Sequence, residues 1–201
     1  MLRARLAPLA LLAPWLLPGC AASRVPLPLP TPSPAGMLHL EGTEFVAARV
    51  HHGIPILQRS FFWDGNGEVD DTGVGLQWGH FVADDMALGV SGNATNWWTP
   101  GPDVQSVEIE GLLRFYPVPD WPLFVSGTSG YQLADHAIPP GGTVWNFSFG
   151  FGTGVELPIA AGTSALFGVD YHHVSNALGH ESPRNPSQNE ARLWVGCAWT
   201  F

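Results

Sequence analysis

From about residue 37 to the last residue, the chain alternates between large apolar side chains and small or polar ones. The alternating segments are roughly ten residues long and turn residues separate them, which is the two-residue period of β-strands half exposed to an apolar medium. Such segments lie near 43–51, 72–82, 85–95, 104–117, 121–131, 144–157, 163–176 and 190–201. In the sixth, Trp145, Phe147, Phe149, Phe151, Val155 and Leu157 share one face, opposite Asn146, Ser148, Gly150, Gly152, Gly154 and Glu156. The last repeats the pattern, with Leu193, Val195, Cys197, Trp199 and Phe201 against Arg192, Gly196, Ala198 and Thr200; Trp194 is the bulky exception on the small face. Eight such strands are the smallest common outer-membrane set, so the expected fold is all-β, an eight-stranded antiparallel outer-membrane β-barrel.

A barrel assigns the two faces opposite fates. In the fourth segment Val107, Ile109, Leu113 and Phe115 would meet lipid, while Ser106, Glu108, Glu110, Arg114 and Tyr116 would fill a narrow lumen. Arg114, Arg192, Asp170, His172 and Glu156 are expected to join them in a paired network. Glu108, Glu110 and His172 are therefore read as structural, despite resembling acid/base candidates. Links two, four and six are short and links one, three, five and seven longer (52–71, 96–103, 132–143 and 177–189), as in barrels with short periplasmic turns and longer external loops. Odd strands then rise toward the cell exterior.

The first 20 residues have the form of an export signal: Arg3 and Arg5 precede an apolar run from Leu6 to Leu17 that is too short to span a bilayer. Leu17-Pro18-Gly19-Cys20 resembles a lipoprotein lipobox ending at Cys20. Residues 21–36 are Pro-rich and read as a polyproline tether to a barrel at 37–201. No later stretch is long and apolar enough for a membrane helix. All 8 basic residues are arginine; without the signal, six face 17 acids, a net charge near −11. That balance excludes nucleic acid as a partner, because phosphate binding needs clustered positive charge. With Cys20 acylated, Cys197 has no partner in the chain and reads as a small outward apolar residue.

The candidate chemistry sits in Tyr171-His172-His173-Val174-Ser175-Asn176-Ala177. His173 and Ser175, two apart on a strand, share a face with Ala165, Phe167, Val169 and Tyr171. A nucleophile and its base thus continue an apolar stripe. On a soluble sheet this is core decoration; on the lipid face of a barrel a polar pair calls for a functional reason. Strand seven rises, and about eleven residues bring the pair to the outer-leaflet edge of the hydrocarbon. The molecule there is an acylated glycolipid with ester bonds just below its sugars. Ser175 would attack an acyl carbonyl while His173 takes its proton, with Asn176 and the amides of Ala177 to Gly179 facing the oxyanion. No cofactor or metal is required. The other histidines lack ligand-like spacing, and His51-His52 at a strand end reads as solvated.

His173-Val174-Ser175-Asn176-Ala177 resembles the His-x-Ser-Asn-Ala signature of the PagL-type lipid A 3-O-deacylases, an acyloxyacyl hydrolase-like outer-membrane family. Pro140 to Ser148 is similar to the segment entering that family's sixth strand, and Arg184-Asn185-Pro186 to its last loop; the resemblance covers about residues 139–201. It implies an eight-stranded barrel whose outward Ser-His-Glu triad removes the 3-position acyl chain of lipid A. Ser175 would be the nucleophile, His173 the base and Asn176 an oxyanion contributor, with lipopolysaccharide as partner and a homodimer left open. The family's glutamate position falls on Asn189. Glu190 follows immediately and is taken as the acid, which requires a register shift or a bulge; Glu181 in the loop is a second acid, and Arg184 is a candidate for a lipid A phosphate.

Overall fold

A computed structural model of the chain describes residues 39–56, 69–119, 121–176 and 187–201. The export signal, the lipobox at Cys20 and the tether lie outside the described residues. Eight strands form: β1 (Glu44–Pro55), β2 (Asp70–Ala83), β3 (Met86–Trp98), β4 (Val104–Phe115), β5 (Leu123–Ile138), β6 (Thr143–Ala160), β7 (Thr163–Ser175) and β8 (Gln188–Thr200). Each pairs antiparallel with its neighbour in sequence, and β1 pairs with β8, so the sheet closes into a barrel. Closure leaves no free edge for another chain to pair with.

The expected all-β, eight-stranded barrel is what forms, with differences in its strand ends. β1, β3, β5 and β6 run on past the expected limits, β5 to Ile138. The alternation of polarity fades there, with Asp135 and His136 both exposed, where the β5–β6 pairing is irregular between Leu133 and Ile138. The fifth link, expected to be long, is consequently a short turn at 139–142, and the fourth, at 116–122, is longer than expected.

Inside, parity sorts the residues into three layers. At the end where the chain turns tightly, Phe45, Phe81, Leu112, Tyr116, Phe124 and Trp194 form an apolar plug. Arg114 lies within it, its guanidinium 4.3 Å from the Phe45 ring and 4.5 Å from the Phe124 ring, a cation-π clamp. Trp194 fits on the small-residue face because two glycines make room. A Cβ on Gly168 would lie 2.1 Å from the Trp194 ring, and one on Gly154 would lie 2.7 Å from it. At the opposite end Val69, Trp97, Val104, Ala134, Ile138 and Val174 form a second plug. Charged residues occupy the space between.

Outside, the picture inverts. Leu76, Ile109, Val107 and Leu193 are each more than half exposed in the middle of their strands, an apolar surface of the kind that marks contact with a membrane or a partner. Leu76→Arg should therefore cost about 2–4 kcal/mol in lipid vesicles, the depth-dependent cost of a charge on a lipid face. Equilibrium urea unfolding in vesicles measures it, and a change within about 0.5 kcal/mol, as for a solvated surface position, would contradict a lipid-facing Leu76.

Candidate active site

The site is built by the unbroken register between β7 and β8. His173 pairs with Asn189 and His172 with Glu190, with no bulge between these strands. Directly opposed residues share a face, and the face of His173 is that of Phe167 and Val169, both exposed on the barrel exterior. The face of His172 is the lumen. Asn189 is thereby set beside His173, and its Oδ1 lies 2.7 Å from His173 Nδ1. On the other side of the ring, His173 Nε2 is 3.0 Å from Ser175 Oγ. Tyr171, two residues earlier on the same face, donates from its hydroxyl to Asn189 Oδ1 at 2.7 Å.

An amide oxygen can only accept, so the hydrogen bond to Asn189 Oδ1 requires the proton on Nδ1. Nε2 is then left to accept from Ser175 Oγ–H, the arrangement a general base needs. The relay is recessed, not displayed: His173 is 6 % exposed, Ser175 9 % and Asn189 1 %. Aromatic rings flank it. On β6, Phe147 is opposite Ser175 and Phe149 opposite His173, and Tyr171 packs against Phe149 and Phe151 with ring centroids 6.3 and 5.1 Å away. Asn176, next after Ser175, is buried. The loop candidates Ala177 to Gly179, Glu181 and Arg184 lie outside the described residues.

Glu190, taken from the sequence as the acid, does not reach His173. Without a bulge it points inward, where its carboxylate meets His172 Nδ1 and Arg192 Nε, both at 3.2 Å. It belongs to the lumen network. Arg192 is the hub of that network, 2.8 Å from Asp71, 3.2 Å from Glu190 and 3.6 Å from Glu108. His172 Nε2 is 3.0 Å from Glu108, and Asn93 donates to Glu108 at 2.9 Å and to Glu110 at 3.3 Å. Glu108, Glu110 and His172 thus have lumen partners of the kind expected. Asp71 and Arg49, which pairs with Asp170 at 3.2 Å, complete a network the sequence pattern did not single out. Residue 71 lay in the expected first link, and nothing local marked the partners of either residue on distant strands. His51, read as solvated, is instead buried against Asp71 at 3.6 Å, because β1 extends four residues beyond the expected end.

Among the described residues, the fold assembles one group of metal-ligand type. Ligand atoms of Glu108, Glu110 and His172 lie within 4.8 Å of one another. Spacing along the chain could not reveal it, since β4 and β7 meet only across the lumen. These side chains are already engaged by Arg192, Glu190 and Asn93.

No protein-family model and no curated protein sequence matches the chain. Solved structures do. The outer membrane protein OprG from Pseudomonas aeruginosa superposes with a TM-score of 0.52 at 14% identity, over 84% of this chain and 99% of that one. Neisserial surface protein A (NspA) superposes with a TM-score of 0.55 at 15% identity, over 80% of this chain and 100% of that one. The fold is that of small bacterial outer-membrane barrels. The apolar exterior shows that this chain uses it in a membrane, and the outer membrane is its location.

Removing the hub should be costly. Arg192→Met leaves Asp71, Glu108 and Glu190 without their shared cation and should destabilise the barrel by about 3–5 kcal/mol, measured as the shift in urea unfolding in detergent micelles. A loss under about 1 kcal/mol would show that the carboxylates do not depend on it.

Proposed function

We propose that the protein is an outer-membrane ester hydrolase that removes the 3-O-linked acyl chain of lipid A, and so modifies lipopolysaccharide. The observation that carries this reading is the Ser175–His173–Asn189 relay on the barrel exterior, with contacts of 3.0 and 2.7 Å. A hydroxyl, an imidazole and an amide aligned in series have no structural need to sit on the apolar outer side of the barrel, where each polar group costs free energy. The resemblance of His173 to Ala177 to the deacylase signature supports the same substrate.

In this reading Ser175 Oγ attacks the acyl carbonyl carbon while its proton passes to His173 Nε2. The tetrahedral oxyanion is met by Asn176 and by backbone amides. Collapse breaks the ester C–O bond, and the imidazolium returns the proton to the departing sugar hydroxyl. Water, activated by the same imidazole, then releases the 3-hydroxy fatty acid and frees Ser175. One chain carries these groups, so a homodimer is not required.

Asn189 favours a second reading, a barrel of low or no activity kept for a structural or binding role. An amide orients the imidazole but does not offset the charge of the imidazolium, and loss of the acid in a serine triad costs about 10⁴ in rate. The two readings separate in one experiment. Lipid A from cells expressing the wild type should lack one 3-hydroxyacyl chain by mass spectrometry, and cells expressing Ser175→Ala should retain it. Identical spectra from equally well-folded proteins would favour the inactive barrel. On the first reading Asn189→Asp should raise kcat/KM by more than about tenfold, up to about 10⁴. An unchanged or lower value in a folded variant would contradict the role given to Asn189.

A further inference from the structure

We infer that Tyr171 is a positioning residue that selects the productive tautomer of His173 by fixing which end of the Asn189 amide faces the imidazole. The inference rests on the esterase reading for its catalytic consequence, though not for its structural content. Unlike a carboxylate, an amide has two unlike ends. With Oδ1 toward the ring, the proton stays on Nδ1 and Nε2 accepts from Ser175. With Nδ2 toward the ring, Nδ1 becomes the acceptor, the proton moves to Nε2, and Nε2–H faces the serine as a donor. The second state cannot remove a proton from Ser175 Oγ.

His173 alone does not decide between these states, because neutral imidazole satisfies either end of the amide. The phenol adds the asymmetry. Its hydroxyl is a good donor and a weaker acceptor, and it lies 2.7 Å from the same Oδ1 that lies 2.7 Å from His173 Nδ1. Two donors converging on one oxygen favour the Nδ1–H tautomer. Position on the strands makes the convergence local: Tyr171 precedes His173 by two residues on one face, and Asn189 is directly opposite His173. Packing between Phe149 and Phe151 holds the phenol ring in place. The low-polarity surroundings of the Phe149 and Phe151 rings strengthen its hydrogen bond to Asn189.

Two readouts test this in the refolded full-length barrel. In ¹⁵N-histidine spectra, with His173 assigned by comparison with His173→Gln, the wild type should show the Nδ1–H tautomer and Tyr171→Phe a mixture of both. A Tyr171→Phe spectrum with His173 still wholly Nδ1–H would overturn the inference, even if no ester were ever hydrolysed. Should wild-type turnover be absent, the esterase reading fails and the spectra still decide the tautomer. With turnover present, Tyr171→Phe should lower kcat about tenfold, the scale of one neutral hydrogen bond, with KM unchanged. In the Asn189→Asp background the same substitution should change kcat by less than about twofold, because both carboxylate oxygens accept. An equal loss in both backgrounds would mark Tyr171 as a packing residue only and overturn its role in orienting the amide.

Discussion

Everything in this molecule follows from the two-residue period of a strand in a sheet that closes on itself. Once β1 pairs with β8, there is an inside and an outside, and each residue's environment depends on whether its number is odd or even along its strand. Neighbours on β7 show how sharp this is. His172 enters a charged lumen with Glu108 and Glu190, and His173, one position later, faces outward with Ser175 and Asn189. The same side-chain type is part of the filling in one case and a candidate base in the other.

Because the exterior belongs to lipid, the protein cannot derive its stability from an apolar core in the manner of a soluble domain. The lumen takes that role with two apolar plugs and an ionic layer between them. The ionic layer is acceptable because most of its charges are paired. Arg192 alone reaches three carboxylates, and Arg49 and Arg114 take up Asp170 and Glu156. A filled interior makes β7 and β8 a rigid wall, and it is on the outer surface of that wall that the relay is held.

The barrel, its strand number and the two faces were legible in the sequence because alternation is a local signal that eight segments repeat. The positions of His173 and Ser175 followed from the same parity. What the sequence left open was pairing between segments. Whether Asn189 or Glu190 meets His173 turns on the β7–β8 register, which a bulge would have reversed, and only the sheet itself fixes it. Tyr171 was visible as a member of the apolar stripe, but its hydroxyl gains meaning only when β8 brings an amide to it. The hub role of Arg192, the burial of His51 and the grouping of Glu108, Glu110 and His172 likewise depend on contacts across the lumen.

The central claim is that strand parity puts a serine, an imidazole and an amide together on the lipid side, with the neighbouring acid kept inside. Its most direct test is a crystal structure of the barrel, grown from lipid, after reaction with a long-chain alkyl fluorophosphonate. The account predicts a phosphonyl group on Ser175 Oγ, its alkyl chain on the barrel exterior, Asn189 at His173 and Glu190 at Arg192. A folded barrel that takes up no label, or one in which Glu190 has replaced Asn189 at the imidazole, would contradict it.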